Sequence, residues 1–374
     1  MSGLYIHIPF CTDKCFYCDF YSGNQLYLLD DYVDALVAEI SVRSNYLVDK
    51  EIDTIYFGGG TPSLLLKLHL VKILNIINKQ FKVSDNAEIT LECNPENIND
   101  SYLHDIFVSG INRISLGVQF LDDQVLRSFN RKHSKELIFN ALDIIEKSEI
   151  DNLSVDLIYS VPGVSNEALL NSLIQLTNYD IKHFSAYSLT VSRNSRLFWK
   201  IKNGDVIESN ENNFIEQYNI VNNYLTSKSY VQYEVSNYAK DGFLSYHNLA
   251  YWNQVPYLGV GVSAHSYDLV SRQWNHKNIK KYINDLKVGF IGFDIEQLSE
   301  IQKYNEYVIL KLRTFQGLSF SFIKDNFDAN VFNHFVNRVE VLKNKNHFVF
   351  QEDLIIPSHD DLLLADYLAK DLML

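Results

Sequence analysis

Through the first half of the chain, short apolar runs of strand length alternate with longer stretches whose apolar positions recur with a helical period. The runs Leu4–Ile8, Thr54–Phe57, Glu88–Glu92, Arg113–Val118, Leu153–Ile158 and Phe184–Leu189 read as strands. Between them Asp31–Tyr46, Leu64–Phe81, Ser101–Val108, Lys135–Ser148 and Asn166–Thr177 read as amphipathic helices. Six strand-then-helix units argue for parallel strands joined by helical crossovers. An open doubly wound sheet fits this pattern, and so does a barrel, complete or partial. In either architecture the functional groups gather at the carboxyl ends of the strands.

Beyond Ser192 the alternation weakens. Phe214–Tyr224 reads as a helix, and the glycines and aromatics that follow suggest irregular, hairpin-like structure covering the sheet. From about Ile301 the order is helices (Tyr304–Arg313, Phe320–Asn326, Val331–Leu342), a hairpin (His347–Ile356) and a last helix (Asp361–Leu372), which is the order of a winged helix. The expected organisation is therefore an α/β unit over 1–230, an irregular segment over 231–300 and a mainly helical C-terminal domain over 301–374. The last helix is acidic at Asp360, Asp361, Asp366 and Asp371, so DNA binding is a poor inference from that order.

Charge narrows the picture further. With 33 Lys+Arg against 46 Asp+Glu, the net charge of −13 repels phosphate backbones, and nucleic acid is not an expected partner. The apolar content excludes disorder. No stretch reaches the roughly 18–20 apolar residues that span a bilayer; the best, Leu64–Ile77, is interrupted by Lys67, His69, Lys72 and Asn75. Met1 runs into Leu4–Pro9 without a basic and then apolar leader, so the expected location is the cytosol, where thiols stay reduced.

Three of the four cysteines stand together as Cys11-Thr-Asp-Lys-Cys15-Phe-Tyr-Cys18. A structural zinc site wants four ligands, and no second cysteine pair is present. Three thiolates suit a four-iron cluster that keeps one iron free for a small molecule. Cys93, at the end of a strand, reads as a small buried hydrophobe. Other polar residues at strand ends are unusual for their setting. Gly58-Gly59-Gly60-Thr61-Pro62 is a glycine turn that lets the backbone approach a ligand closely. Glu92, Gln119, Arg131 and Asp156 lie at or just after strands, where an unpaired carboxylate is costly. They are candidate ligand contacts or, alternatively, a structural network such as an Arg131–Asp156 pair.

The spacing C-x₃-C-x₂-C, followed one strand later by GGGTP, resembles the radical S-adenosylmethionine superfamily. The resemblance implies a partial (β/α)₆ barrel, a [4Fe–4S] cluster on Cys11, Cys15 and Cys18, and S-adenosylmethionine on the free iron. Matched position by position, it implies that Tyr5, Tyr17, Gly59, Gly60, Thr61, Glu92, Gln119, Arg131 and Asp156 line the S-adenosylmethionine site.

A second constellation follows: Tyr233-Glu-Val-Ser-Asn-Tyr238, then His247-Asn-Leu-Ala-Tyr-Trp252, then a glycine-rich stretch ending at His265. Packed aromatics with a histidine form a capped core in many proteins, but a neutral His beside flat rings also suits haem. With the opening Tyr-Ile-His-Ile-Pro-Phe-Cys, these motifs make the whole chain similar to HemW-type haem chaperones, relatives of the oxygen-independent coproporphyrinogen III oxidases. That resemblance implies haem as the bound molecule, His247 as its iron ligand with His265 a weaker candidate, and haem-accepting proteins, membrane-associated ones included, as partners. The oxidases carry a further cysteine where this chain has Phe20, and an N-terminal arm before the first strand. Both departures favour the chaperone over the alternative reading, a coproporphyrinogen III dehydrogenase. A radical methylase acting on nucleic acid is disfavoured by the acidic charge.

Overall fold

The computed structural model describes residues 2–343 and 348–374. Six parallel strands run in sequence order through the centre of one sheet: β1 (Gly3–Ile8), β2 (Glu51–Gly59), β3 (Lys82–Cys93), β4 (Arg113–Gln119), β5 (Asn152–Tyr159) and β6 (His183–Ser188). Helices α1 (Leu29–Val42), α2 (Lys67–Gln80), α3 (Asp100–Val108), α4 (Asp123–Ser128), α5 (Lys135–Ile145) and α6 (Asn166–Leu176) make the crossovers. Polar caps start several of them: Asn99, Asp122, Ser134 and Ser165 each accept from a backbone N–H of the first turn.

Side chains alternate across each strand, and the two faces differ in kind. Leu4, Ile6, Ile8, Phe57, Leu91, Ile114, Leu116 and Val155 are fully buried towards the helices. The opposite, inner face is polar at every second position: Thr54 and Tyr56 on β2, Glu88, Thr90 and Glu92 on β3, Arg113 and Ser115 on β4, Ser154 and Asp156 on β5, His183 and Ser185 on β6. Such an interior is stable only when each group finds a partner. His183 does so between Ser154 Oγ and Tyr233 Oη, both at 2.8 Å.

Helices α7 (Arg196–Lys202) and α8 (Glu211–Ser227) follow, then short strands β7 (Val231–Gln232) and β8 (Asn237–Ala239), β8 pairing antiparallel with β6. The segment expected to be irregular is more regular than its sequence suggests. His247–Trp252 belongs to a helix, α9 (Tyr246–Trp252), and β9 (Tyr257–Val260) adds parallel to β1 on its free side. β10 (His265–Tyr267), β11 (Ser271–Asn275) and β12 (Phe293–Gln297) extend that edge antiparallel, with α10 (Ile279–Leu286) between the last two. Glu39 and Arg43 of α1 bind this extension: Arg43 donates to Gly259 O and Gln273 Oε1, and Glu39 accepts from Gly261 N and Asn275 Nδ2. Among the described residues the outer strands β12 and β7 do not pair with each other, so the (β/α)₆ barrel is partial.

The C-terminal part has its own apolar core, centred on Tyr304, Val308, Leu312, Phe335 and Leu368. It comprises α11 (Glu300–Leu312), β13 (Leu318–Ser319), α12 (Phe320–Asn326), α13 (Ala329–Leu342), β14 (Phe348–Gln351), β15 (Leu354–Pro357) and α14 (Ala365–Leu372), a winged-helix-like order. His347, where the hairpin was expected to begin, lies outside the described residues. The last helix starts at Ala365, preceded by a 3₁₀ turn over His359–Leu364. An Arg272–Glu306 ion pair at 2.8 Å and two backbone bonds, Val235 N to Arg313 O and Phe315 N to Tyr233 O, join this part to the barrel. Among the described residues no helix is long and apolar enough to cross a membrane.

Candidate functional site

The carboxyl ends of the six strands open into one cavity of about 420 Å³. It is lined by Cys11, Cys15 and Cys18, and by Tyr17, Gly59, Gly60, Thr61, Glu92, Gln119, Arg131 and Asp156. Eleven positions, taken from the cysteine loop, from four strands or the turns after them and from the segment after α4, thus face one space.

The cysteines enter on the loop after β1. Cys11 N donates to Gly23 O at 3.0 Å, and Thr61 Oγ1 lies 3.5 Å from Cys11 Sγ. Burial raises the pKa of Cys15 and Cys18, while the Arg131 guanidinium opposes the rise at Cys15. These two thiols therefore stay protonated at neutral pH, and a metal would have to displace their protons. The glycine turn lies against the loop. A Cβ on Gly60 would meet Phe10 O at 2.6 Å and Cys11 Sγ at 3.0 Å, and one on Gly59, whose φ is +120°, would meet the His7 ring. Bulk is thus excluded where a ligand would meet the thiols.

Deeper in the cavity, Glu92 accepts from Tyr56 Oη at 2.9 Å and from Gly59 N at 3.0 Å. Burial, and secondarily the charge of Asp156, raises its pKa to about 7. Asp156 is raised as well, again by burial first, and accepts from Ser115 Oγ at 3.0 Å. Two half-committed carboxylates facing a cavity suit hydroxyl and ammonium donors of a bound polar ligand. Arg131 does not pair with Asp156. It donates to Tyr17 Oη at 2.7 and 3.0 Å and to Asn94 Oδ1 at 3.2 Å.

Two expected site residues lie apart from this lining. Tyr5 stands one strand over, its hydroxyl 3.0 Å from His7 Nδ1 and its ring stacked on Tyr56. His247 is buried on the inner face of β1–β3. Its Nδ1 lies 2.8 Å from Thr54 Oγ1 and its Nε2 2.9 Å from Tyr251 Oη, and its ring stacks on Tyr56 at 5.0 Å. Burial, then the Arg113 charge, lowers its pKa to about 3, so the ring is neutral. Glu88 fixes the helix from below, accepting the N–H groups of Tyr246 and His247. Both nitrogens of His247 are thus engaged: an iron would have to displace Thr54 of β2 from Nδ1, or Tyr251 of the same helix from Nε2. Its neighbour Asn248 does line the cavity. His265 is exposed and stacked on Trp274 at 6.0 Å. Cys93 is buried, its thiol raised by burial and then by Glu92, and it too borders the cavity.

The lining also includes Tyr56, Asn94, Arg113, Ser115, Ser185 and Tyr187, which motif reading passed over. The signal was present as the period-two polar alternation of each strand.

A [4Fe–4S] cluster with S-adenosylmethionine fits these residues. Among the described residues no three His, Cys, Asp or Glu side chains converge on a single-ion position; a cube does not need that, since each thiolate takes a different iron. The Gly59–Thr61 cradle adjoins the thiols, and the Glu92–Asp156 end offers acceptors farther in.

Comparison with known proteins agrees with this geometry. The family model described as the radical SAM superfamily matches residues 5–175. "Heme chaperone HemW" of Bacillus subtilis (strain 168) is 30% identical over 372 residues, covering 98% of this chain and 97% of that protein. "Heme chaperone HemW" of Mycobacterium tuberculosis (strain CDC 1551 / Oshkosh) is 33% identical over 323 residues, covering 84% and 82%. The solved structure of coproporphyrinogen III oxidase (HemN) from Escherichia coli, described as a radical SAM enzyme, superposes with a TM-score of 0.85 over 100% of this chain and 90% of that one. At 23% identity that likeness is one of fold.

Proposed function

The chain belongs to the radical SAM superfamily and, within it, to the HemW haem-chaperone family, and on that footing we propose that it binds haem in the cytosol and passes it to acceptor proteins. Cys11, Cys15 and Cys18 would hold a [4Fe–4S] cluster, with S-adenosylmethionine along Gly59–Thr61, Glu92, Gln119, Arg131 and Asp156. When bound, those groups supply one-electron chemistry. The residues of the chain orient them and limit water around them.

The observation that carries the haem reading is the setting of α9. A neutral His247 ring, the ligating form, is surrounded by the rings of Tyr5, Tyr56 and Tyr251 on a helix of seven residues that borders the cysteine cavity through Asn248. In the arrangement described, the helix is closed against β1–β3, so the proposal includes its release. The segment before it turns at Gly242, whose φ is +81° and which has open space around it.

The test has two arms. Incubated with haem and passed through a sizing column, the cluster-loaded chain should retain haem stoichiometrically. Given coproporphyrinogen III and a reductant without oxygen, it should release no protoporphyrinogen. Turnover in the second arm would replace the chaperone reading with the dehydrogenase.

A further inference from the structure

The loop that carries the cysteines has neither helix nor strand between Cys11 and Tyr21, so its shape depends on what grips it from outside. One short segment does most of the gripping. Phe129 O accepts from Phe16 N at 3.1 Å, Asn130 Nδ2 donates to Lys14 O at 3.0 Å, Arg131 donates twice to Tyr17 Oη, and Lys132 forms an ion pair with Asp13. Four consecutive residues thus hold four loop residues that flank Cys15 on both sides.

The segment is itself anchored. His133, buried at 2% exposure, lies 3.2 Å from Glu96 Oε2 and 3.3 Å from Val118 O, which fastens it to the barrel. Asn130 has φ +61°, a left-handed conformation in which Asn is among the few tolerated side chains, and this turns its amide towards the loop.

We infer that Phe129–His133 is a positioning clamp that holds Cys15 and its neighbours in place for a cluster, so that the cluster is retained. The inference rests on the cluster reading of the cysteines. Ordering an irregular loop costs conformational entropy, and a clamp that orders it beforehand slows the loss of what the loop holds. Asn130 and Lys132 lie outside the cavity lining, so their part in this is separable from ligand contact.

The experiment uses the full chain with Asn130→Gly, Lys132→Gln and both together. Glycine accepts the positive φ, so Asn130→Gly removes the amide without strain. After anaerobic reconstitution, release of iron to a ferrous chelator is followed by the decay of the cluster's visible absorbance, and melting of the cluster-free chain is measured alongside. The clamp predicts three- to tenfold faster release in the double variant with unchanged cluster-free melting, and near wild-type release for Lys132→Arg alone. Release at the wild-type rate overturns the clamp. Faster release with an equal loss of cluster-free stability also overturns it, because the segment would then be general support. A wild-type chain that takes up no iron would instead remove the cluster reading itself.

Discussion

His247 Nδ1 sits 2.8 Å from Thr54 Oγ1, so the histidine expected to bind haem iron is tied to the second barrel strand. Thr54→Val keeps the side-chain shape and removes the partner. Leaving a buried ring nitrogen without one destabilises the closed position of α9 by about 1–3 kcal/mol. If haem needs the helix released, apparent haem affinity rises between about fivefold and a hundredfold, since affinity is scaled by the binding-competent fraction. Haem titration of the variant checks this, and unchanged affinity would mean that the contact is not part of haem uptake.

Glu92 makes folding stability depend on pH. Its pKa is about 7 in the folded, ligand-free chain against 4.5 for the free side chain, so the folded state binds the extra proton between those values. Its contribution is fullest below about pH 4.5, falls as pH rises to about 7 and is flat above. Glu92→Gln mimics the protonated form. The stability gap between the two proteins should be smallest below about pH 4 and should widen towards pH 8, with the Gln variant the more stable there. A gap that does not vary with pH would show that Glu92 titrates normally.

Gly60→Ala places a methyl group against Phe10 O, Ile8 O and Cys11 Sγ. Two of these are backbone atoms, so the loop itself must shift, at a cost of about 1–3 kcal/mol. The expected outcome is a folded chain that takes up markedly less iron. Iron content after reconstitution reports it directly.

Cys15→Ala removes the central thiolate. Iron per chain and the visible absorbance of the cluster should fall to background while the circular dichroism spectrum is kept. Iron content equal to wild type would rule out every cluster-based account of the loop.

Much of this is legible in the sequence. The six central strands announce themselves because their outward faces are continuous in apolar character: Ile114, Leu116 and Val118 on β4 are fully buried. The cavity residues were found because parallel strands end on one side, so Glu92, Gln119 and Asp156, far apart in sequence, meet there. α9 was read as irregular because seven residues are too few to display a helical period. Its start depends on the Ser245 cap and on Glu88, 158 positions away from Tyr246. The same distance hid the burial of His247, whose partners Thr54 and Tyr56 lie in another part of the chain. An Arg131–Asp156 pair, the alternative to ligand contact, is not formed, because the turn after α4 carries Arg131 to Tyr17 on the cysteine loop.

The most direct measurement is a haem titration of the full, cluster-loaded chain followed by its Soret band, beside His247→Ala. Saturable binding of one haem per chain, with a shifted band and at least tenfold weaker affinity in the variant, is the result that the α9 account predicts. The same affinity and spectrum in both proteins would contradict it.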